Sequence, residues 1–172
     1  MESPETIRRR LELENRFKGG ANWFFWIAAL SLVNSVVLLS GSGWSFLVGL
    51  GVTQIIDSIA VALTRDAASK SLAMVVAFAL DLFVAGFFVL FGTFARRRHV
   101  SAFVLGMALY AADGVIFAWV GDWLSAGFHG LVLFWLYGGL KACRELTRLE
   151  REAAKTTAGV SPASSSSSPT SC

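Results

Sequence analysis

The chain has 172 residues, of which 55% are apolar and 16% are charged, and its formal net charge is +3. A soluble domain of this size usually has about 25% charged and about 45–50% apolar residues, so this composition excludes an ordinary soluble domain. The basic residues cluster beside long apolar stretches, as in membrane proteins, and this placement argues against a nucleic-acid-binding protein.

The first residues carry the signals of a separate helix. Ser3 suits the N-cap, Pro4 the first helical position and Gly19–Gly20 a helix end. Apolar residues fall near one face of this helix, and basic residues cover much of the rest. We therefore expect residues 1–20 to form an amphipathic helix on the cytoplasmic membrane surface, with a solvated charged leader as the alternative.

Apolar blocks follow along the chain, and each is long enough to cross a hydrocarbon core of about 30 Å as a helix. They cover residues 22–40, 43–63, 71–92, 100–121 and 124–140. Length alone would therefore predict five spans.

The positions of the basic residues favour four spans instead. With five spans, the fifteen Lys and Arg residues divide almost equally between the two sides of the membrane. If one of the first two blocks does not cross, thirteen of the fifteen lie inside, and only Arg65 and Lys70 lie outside. Block 43–63 is the better candidate for a re-entrant or tilted segment, because it contains several glycine and polar residues.

These patterns predict an all-α fold, namely a polytopic membrane helical bundle with four spanning helices. The bundle covers residues 21–142, and residues 143–172 form a cytoplasmic helix end and a serine-rich tail. We expect the tail to be disordered, because it has no apolar surface to offset the entropy of ordering.

Acidic residues inside the apolar blocks are the main candidates for function. An ionised carboxylate in the membrane costs several kcal/mol, so each must be protonated, hydrogen-bonded, ion-bound or beside water. The candidate intramembrane polar site consists of Gln54, Asp57, Asp81, Tyr110, Asp113 and His129. Catalytic residues cannot be assigned among them.

Helical spacing indicates which of these side chains share a surface. Asp81 falls on a stripe of alanine and aromatic residues in its block, so it should point into the bundle. Tyr110 is three residues before Asp113 and could donate a hydrogen bond to it. Asp113 and His129 lie at similar distances from the turn near residues 121–123, so a hairpin would place them about 3 Å apart in height. A contact between the two is therefore geometrically plausible.

Structural explanations compete with each of these interpretations. Asp122 is most simply an N-cap for the last helix. Asp81 and Asp113 could be protonated groups in interhelical hydrogen bonds, and His129 could serve a neighbouring helix. The spacing of acids and histidine resembles neither an intramembrane protease nor a zinc site, so we expect no metal and no cofactor.

Residues 14–23 (ENRFKGGANW), 51–57 (GVTQIID) and 122–129 (DWLSAGFH) are similar to those of a family of small, uncharacterised bacterial multi-pass membrane proteins. The similarity extends over roughly residues 11–150. It implies a bacterial inner-membrane location and no activity, cofactor or site residue.

Two classes of function remain open. The leading hypothesis is a non-enzymatic accessory or assembly protein, or a small proton- or cation-linked carrier. The alternative is a membrane-embedded enzyme that acts on a lipid or peptide through an Asp/His pair.

The expected partners are the lipid bilayer and either further copies of this chain or another membrane protein, with no nucleic acid. Small residues at Ser31/Ser35 and Ala102/Gly106 suggest surfaces for such association. We expect a multi-pass protein of the cell inner membrane with both termini in the cytoplasm.

Overall fold

A computed structural model describes residues 3–39, 50–53, 55, 59 and 67–159 of the chain. The regular structure of these residues is helical. Four long helices account for almost all of it: α1 (Pro4–Leu39), α2 (Ala67–Arg96), α3 (Val100–Trp119) and α4 (Trp123–Gly159). Each helix is long and apolar enough to cross a membrane, as a multi-pass membrane protein requires.

The four helices form a closed bundle. Helix α1 packs against α2 and α4, and α3 completes the bundle by packing against α4 and α2. Three-residue connections join α2 to α3 and α3 to α4, so these helices are antiparallel neighbours. Apolar side chains such as Leu72, Phe83, Val115 and Phe134 cover much of the outer surface. An apolar exterior of this kind suits lipid rather than water.

One end of the bundle, called the basic end here, gathers three charged segments. The Arg98 guanidinium in the α2–α3 connection pairs with Glu150 of α4 and lies 3.9 Å from a Glu14 carboxylate oxygen of α1. Arg9 of α1 pairs with Glu145 of α4. The start of α1, the α2–α3 connection and the last part of α4 therefore lie together.

Helix α1 does not end at Gly19–Gly20, so that prediction was wrong. Gly20 instead lies where α1 crosses α4, and a Cβ atom there would be 2.5 Å from the Cα of Gly139. The missing side chains let the two backbones touch. The predicted N-cap is present, since the Thr6 backbone N–H donates to the Ser3 hydroxyl at 3.3 Å.

The small residues that suggested an association surface are buried between the helices of the bundle. Ser31, Ser35 and Ala102 are buried, and Gly106 lies directly against the Phe24 ring. These four positions therefore supply no surface for a second copy, and that part of the sequence interpretation was wrong.

Several predictions fall on residues that the structure does not describe. They concern Gln54, Asp57 and Arg65, most of block 43–63 and the serine-rich tail. Helix α1 ends and α2 begins at the end of the bundle opposite the basic end. The re-entrant character of the block between them stays a prediction.

Candidate functional site

The site is built on one face of α3, whose residues are spaced by four and three positions along the helix. Gly106, Tyr110, Asp113 and Phe117 are all buried on this face. The following helix, α4, turns back along α3 and brings His129 to the same height. Gly114 makes the approach possible, because a Cβ atom there would lie 2.9 Å from the Cβ of His129.

Asp113 and His129 are in direct contact, which the sequence spacing makes plausible. The Nε2 atom of His129 lies 3.0 Å from the Oδ2 atom of Asp113. Both side chains are almost fully buried, with exposed fractions of 4% for Asp113 and 2% for His129. The pair is therefore shielded from the bulk solvent.

The hydrogen bonds of His129 fix where its protons lie. Its Nδ1 atom is 2.8 Å from the backbone carbonyl oxygen of Ser125. Because a carbonyl can only accept, Nδ1 carries a proton and donates. At the other ring nitrogen, two lone pairs would face each other across 3.0 Å if Nε2 and the carboxylate were both unprotonated. A proton must therefore lie between Nε2 of His129 and Oδ2 of Asp113.

Asp113 also binds a third part of the chain. The backbone N–H of Gly51 donates to Oδ2 at 2.8 Å, and that of Val52 donates to Oδ1 at 2.9 Å. Beside them, the buried Thr53 hydroxyl donates to the Leu50 carbonyl at 2.8 Å. The Asp113 carboxyl group thus joins residues 50–53 to α3 and α4.

Aromatic rings enclose the imidazole. The Tyr110 ring stacks on it, with centroids 4.3 Å apart and an interplanar angle of 19°. The Phe117 ring centroid is 5.1 Å away on another side. Tyr110 therefore contacts His129 by ring stacking. The hydrogen bond from Tyr110 to Asp113 that the sequence suggested is not formed.

Further polar residues are buried in the same half of the bundle, away from the basic end. Asp81 of α2 is fully buried on the predicted inward stripe. On α1, Ser31, Asn34 and Ser35 are each no more than 1% exposed. Together with Thr53, Ser125, Asp113 and His129, they give this half a polar interior. Among the described residues, no three Asp, Glu, Cys or His side chains converge in a way that would hold a metal ion.

Of the six predicted site residues, the structure brings three into one cluster: Tyr110, Asp113 and His129. Asp81 is buried on a different helix, and Gln54 and Asp57 lie outside the described residues. Sequence reasoning missed the backbone groups of Gly51, Val52 and Ser125 as partners, because any residue type can supply a backbone donor or acceptor.

Asp122 has a structural role, as predicted. Its carboxylate accepts the Ser125 backbone N–H at 3.1 Å and the Ser125 hydroxyl at 2.6 Å, so it caps the start of α4. The hydroxyl contact, together with the backbone N–H, lowers the pKa of Asp122 below its usual value. This residue does not contact the Asp113–His129 pair.

No protein family, curated protein or solved structure matches the chain. The function must therefore be inferred from the geometry of the site.

Proposed function

We propose that the chain is a multi-pass protein of the cell membrane with its basic end, and hence both termini, in the cytoplasm. The support is the clustering of Arg9, Arg98 and the basic residues of α4 at one end of four apolar helices. Cytoplasmic segments of membrane proteins carry an excess of Lys and Arg.

Within that membrane, we propose a small proton-linked carrier whose proton is held by Asp113 and His129. The observation that carries this proposal is the 3.0 Å contact between two buried titratable groups, which requires a shared proton. Buried ionisable residues in membrane helices are expensive to maintain and commonly mark ion or proton pathways.

Loss of the shared proton would change the structure around it. The lone pair of Nε2 and the Asp113 carboxylate would then repel each other at their present distance. The pair can separate only if α3 and α4 shift relative to each other, or if water enters. Release of the proton is therefore coupled either to movement of α3 against α4 or to entry of water, and a carrier can use both.

The packing of the bundle closes the proton site toward the basic end. The polar interior lies away from the basic end, whereas the rings of Phe24, Phe91 and Phe103 fill the bundle between it and the basic end. In this conformation, the proton site is closed toward the cytoplasm. Exchange with that side would require the aromatic cluster to open.

The enzyme hypothesis has less support from the same geometry. A general base must present a free ring nitrogen to its substrate. Both nitrogens of His129 are already within 3.0 Å of a protein oxygen atom, one in Ser125 and one in Asp113.

A second candidate is a non-enzymatic accessory protein, in which the Asp113–His129 pair only stabilises the fold. The observation that favours it is the pair of hydrogen bonds from Gly51 and Val52 to Asp113, which join separate parts of the chain. In that case, replacement of the pair would change stability but not any proton movement.

Proton flux into vesicles separates the two candidates. The purified protein is reconstituted with a pH-sensitive dye inside, and an electrical potential is imposed across the membrane. A carrier gives flux that is lost in His129→Gln, because glutamine cannot bind and release a proton as the imidazole does. Asp122→Asn is the matched control, since it alters an acid outside the bundle interior. Equal flux in wild type, His129→Gln and empty vesicles would refute the carrier and leave the accessory role.

A further inference from the structure

A groove of about 600 Å³ lies between α1 and α4, close to the basic end. Its base is the crossing of Gly20 and Gly139, where the two backbones touch. Beside the crossing, Gly19 and Gly138 leave the groove open, because a Cβ atom at either position would meet nothing within 4 Å. The groove therefore exists because four glycines meet at one helix crossing.

The groove is basic at one end and aromatic at the other. Arg16 and Lys141 line it on the side of the basic end, and Trp23 and Trp135 line it toward the membrane interior. None of the described residues that line it is acidic, and neither cation forms an ion pair with a carboxylate that the structure describes. By contrast, Arg9, Lys18 and Arg98 nearby are all paired with glutamates.

We infer that this groove binds an anionic phospholipid of the cytoplasmic leaflet, with its phosphate between Arg16 and Lys141 and one acyl chain beside the tryptophans. The charge of the groove is complementary to such a headgroup. Basic pockets between membrane helices on the cytoplasmic side are suited to anionic lipids. Tryptophan rings are favoured at the same depth, where headgroup and acyl chain meet.

The depths of the residues fit one lipid molecule. Arg16 is about 6 Å and Lys141 about 3 Å from the glycine crossing toward the basic end, whereas the tryptophans lie about 5 Å from it in the other direction. The exposed Phe134 and Leu131 continue the apolar wall along α4 toward the membrane interior. A phosphate near the cations would therefore leave its acyl chain on an apolar surface.

This inference rests on the proposed membrane location but not on the proton pair. It is tested with the full chain in vesicles made of equal parts phosphatidylglycerol and phosphatidylcholine. Insertion is measured first by resistance to alkaline extraction. The lipids that stay bound after transfer to detergent are then counted by native mass spectrometry. Wild type should retain phosphatidylglycerol in preference to phosphatidylcholine.

Two changes to the groove should remove that preference. The double variant Arg16→Gln/Lys141→Gln should lower phosphatidylglycerol occupancy by on the order of tenfold, because two phosphate-binding cations are lost. Gly138→Leu should lower it as well, because a Cβ atom there meets nothing within 4 Å and the rest of the side chain would occupy the open groove.

Matched controls separate the site from general effects of charge and helix composition. Arg151→Gln/Lys155→Gln removes the same charge from an exposed part of α4, and Gly130→Leu adds the same side chain at another open glycine of that helix. Both controls should retain phosphatidylglycerol.

The possible results have distinct meanings. If the protein inserts and the groove variants bind as wild type does, the lipid site is refuted while the membrane location stands. If the protein does not insert, both are refuted. If excess inorganic phosphate displaces the lipid completely, the groove recognises phosphate alone and the lipid assignment is wrong.

Discussion

The half of the bundle near the basic end packs aromatic rings against glycine and alanine, whereas the other half buries polar side chains. In the first half, Phe24 lies between Gly92 of α2 and Gly106 of α3, and its ring is 5.7 Å from that of Phe103. In the second half, the hydrogen bonds of Asp113 and His129 join residues 50–53, α3 and α4.

The two halves of the bundle hold their helices together by different interactions. Close packing of small and aromatic residues needs no proton and does not respond to pH. A buried acid and a buried imidazole stay together only while a proton lies between them, and removal of one partner leaves the other uncompensated. The first half is therefore suited to a fixed scaffold and the second to a conformational change.

The largest effect is expected from His129→Phe in the polar half. It leaves the buried Asp113 with only its two backbone donors, so stability should fall by about 3 kcal/mol. Thermal unfolding in detergent measures the loss. His99→Phe is the matched control, because His99 is exposed and is the only other histidine in the chain. A loss under about 1 kcal/mol would mean that the pair does not hold this half together.

Gly20→Ala tests the other half. The added methyl group would overlap the backbone of Gly139, so α1 and α4 must separate and stability should fall by about 2 kcal/mol. Gly19→Ala, one residue away, meets open space and should raise stability by up to about 1 kcal/mol through its helix propensity. Equal unfolding temperatures for the two variants would show that the crossing is not tightly packed.

Much of the site could be predicted from the sequence because helix geometry is regular. The inward stripe of α2 follows from residue spacing, and the similar distances of Asp113 and His129 from one turn make their contact plausible. The continuation of α1 through Gly19–Gly20 could not be predicted, because two glycines can equally end a helix or permit a close crossing. Only the position of Gly139 on a distant helix decides between these possibilities.

Arg98 allows a smaller test at the basic end. Its backbone has φ of 64°, a conformation that costs a side-chain-bearing residue about 1 kcal/mol relative to glycine. Arg98→Ala and Arg98→Gly both lose the ion pairs with α1 and α4, but only the alanine variant keeps the strain. The glycine variant should therefore be about 1 kcal/mol more stable than the alanine variant in thermal unfolding. The reverse order would contradict the strained turn.

The smallest effect is expected at the Asp122 cap. Asp122→Ala should lower stability by about 0.5–1 kcal/mol at neutral pH. The pKa of this carboxyl is lower in the folded chain than its usual 3.8, so the charged cap stabilises the fold above that pH. The contribution is lost as the pH falls from 3.8 through the lower folded value. Unfolding curves at acidic and neutral pH should converge for wild type and Asp122→Ala, and a constant difference would contradict the assignment.

The shared proton can be observed directly by nitrogen NMR of histidine in bilayers. In a His99→Gln variant, His129 is the single histidine, so both ring nitrogens can be assigned to it. At neutral pH, we predict a proton bonded to Nδ1 and a hydrogen bond at Nε2 that disappears in Asp113→Ala, because alanine has no side-chain donor or acceptor. An unprotonated Nδ1, or an Nε2 signal unaffected by Asp113→Ala, would contradict the proton-holding pair on which the proposed function depends.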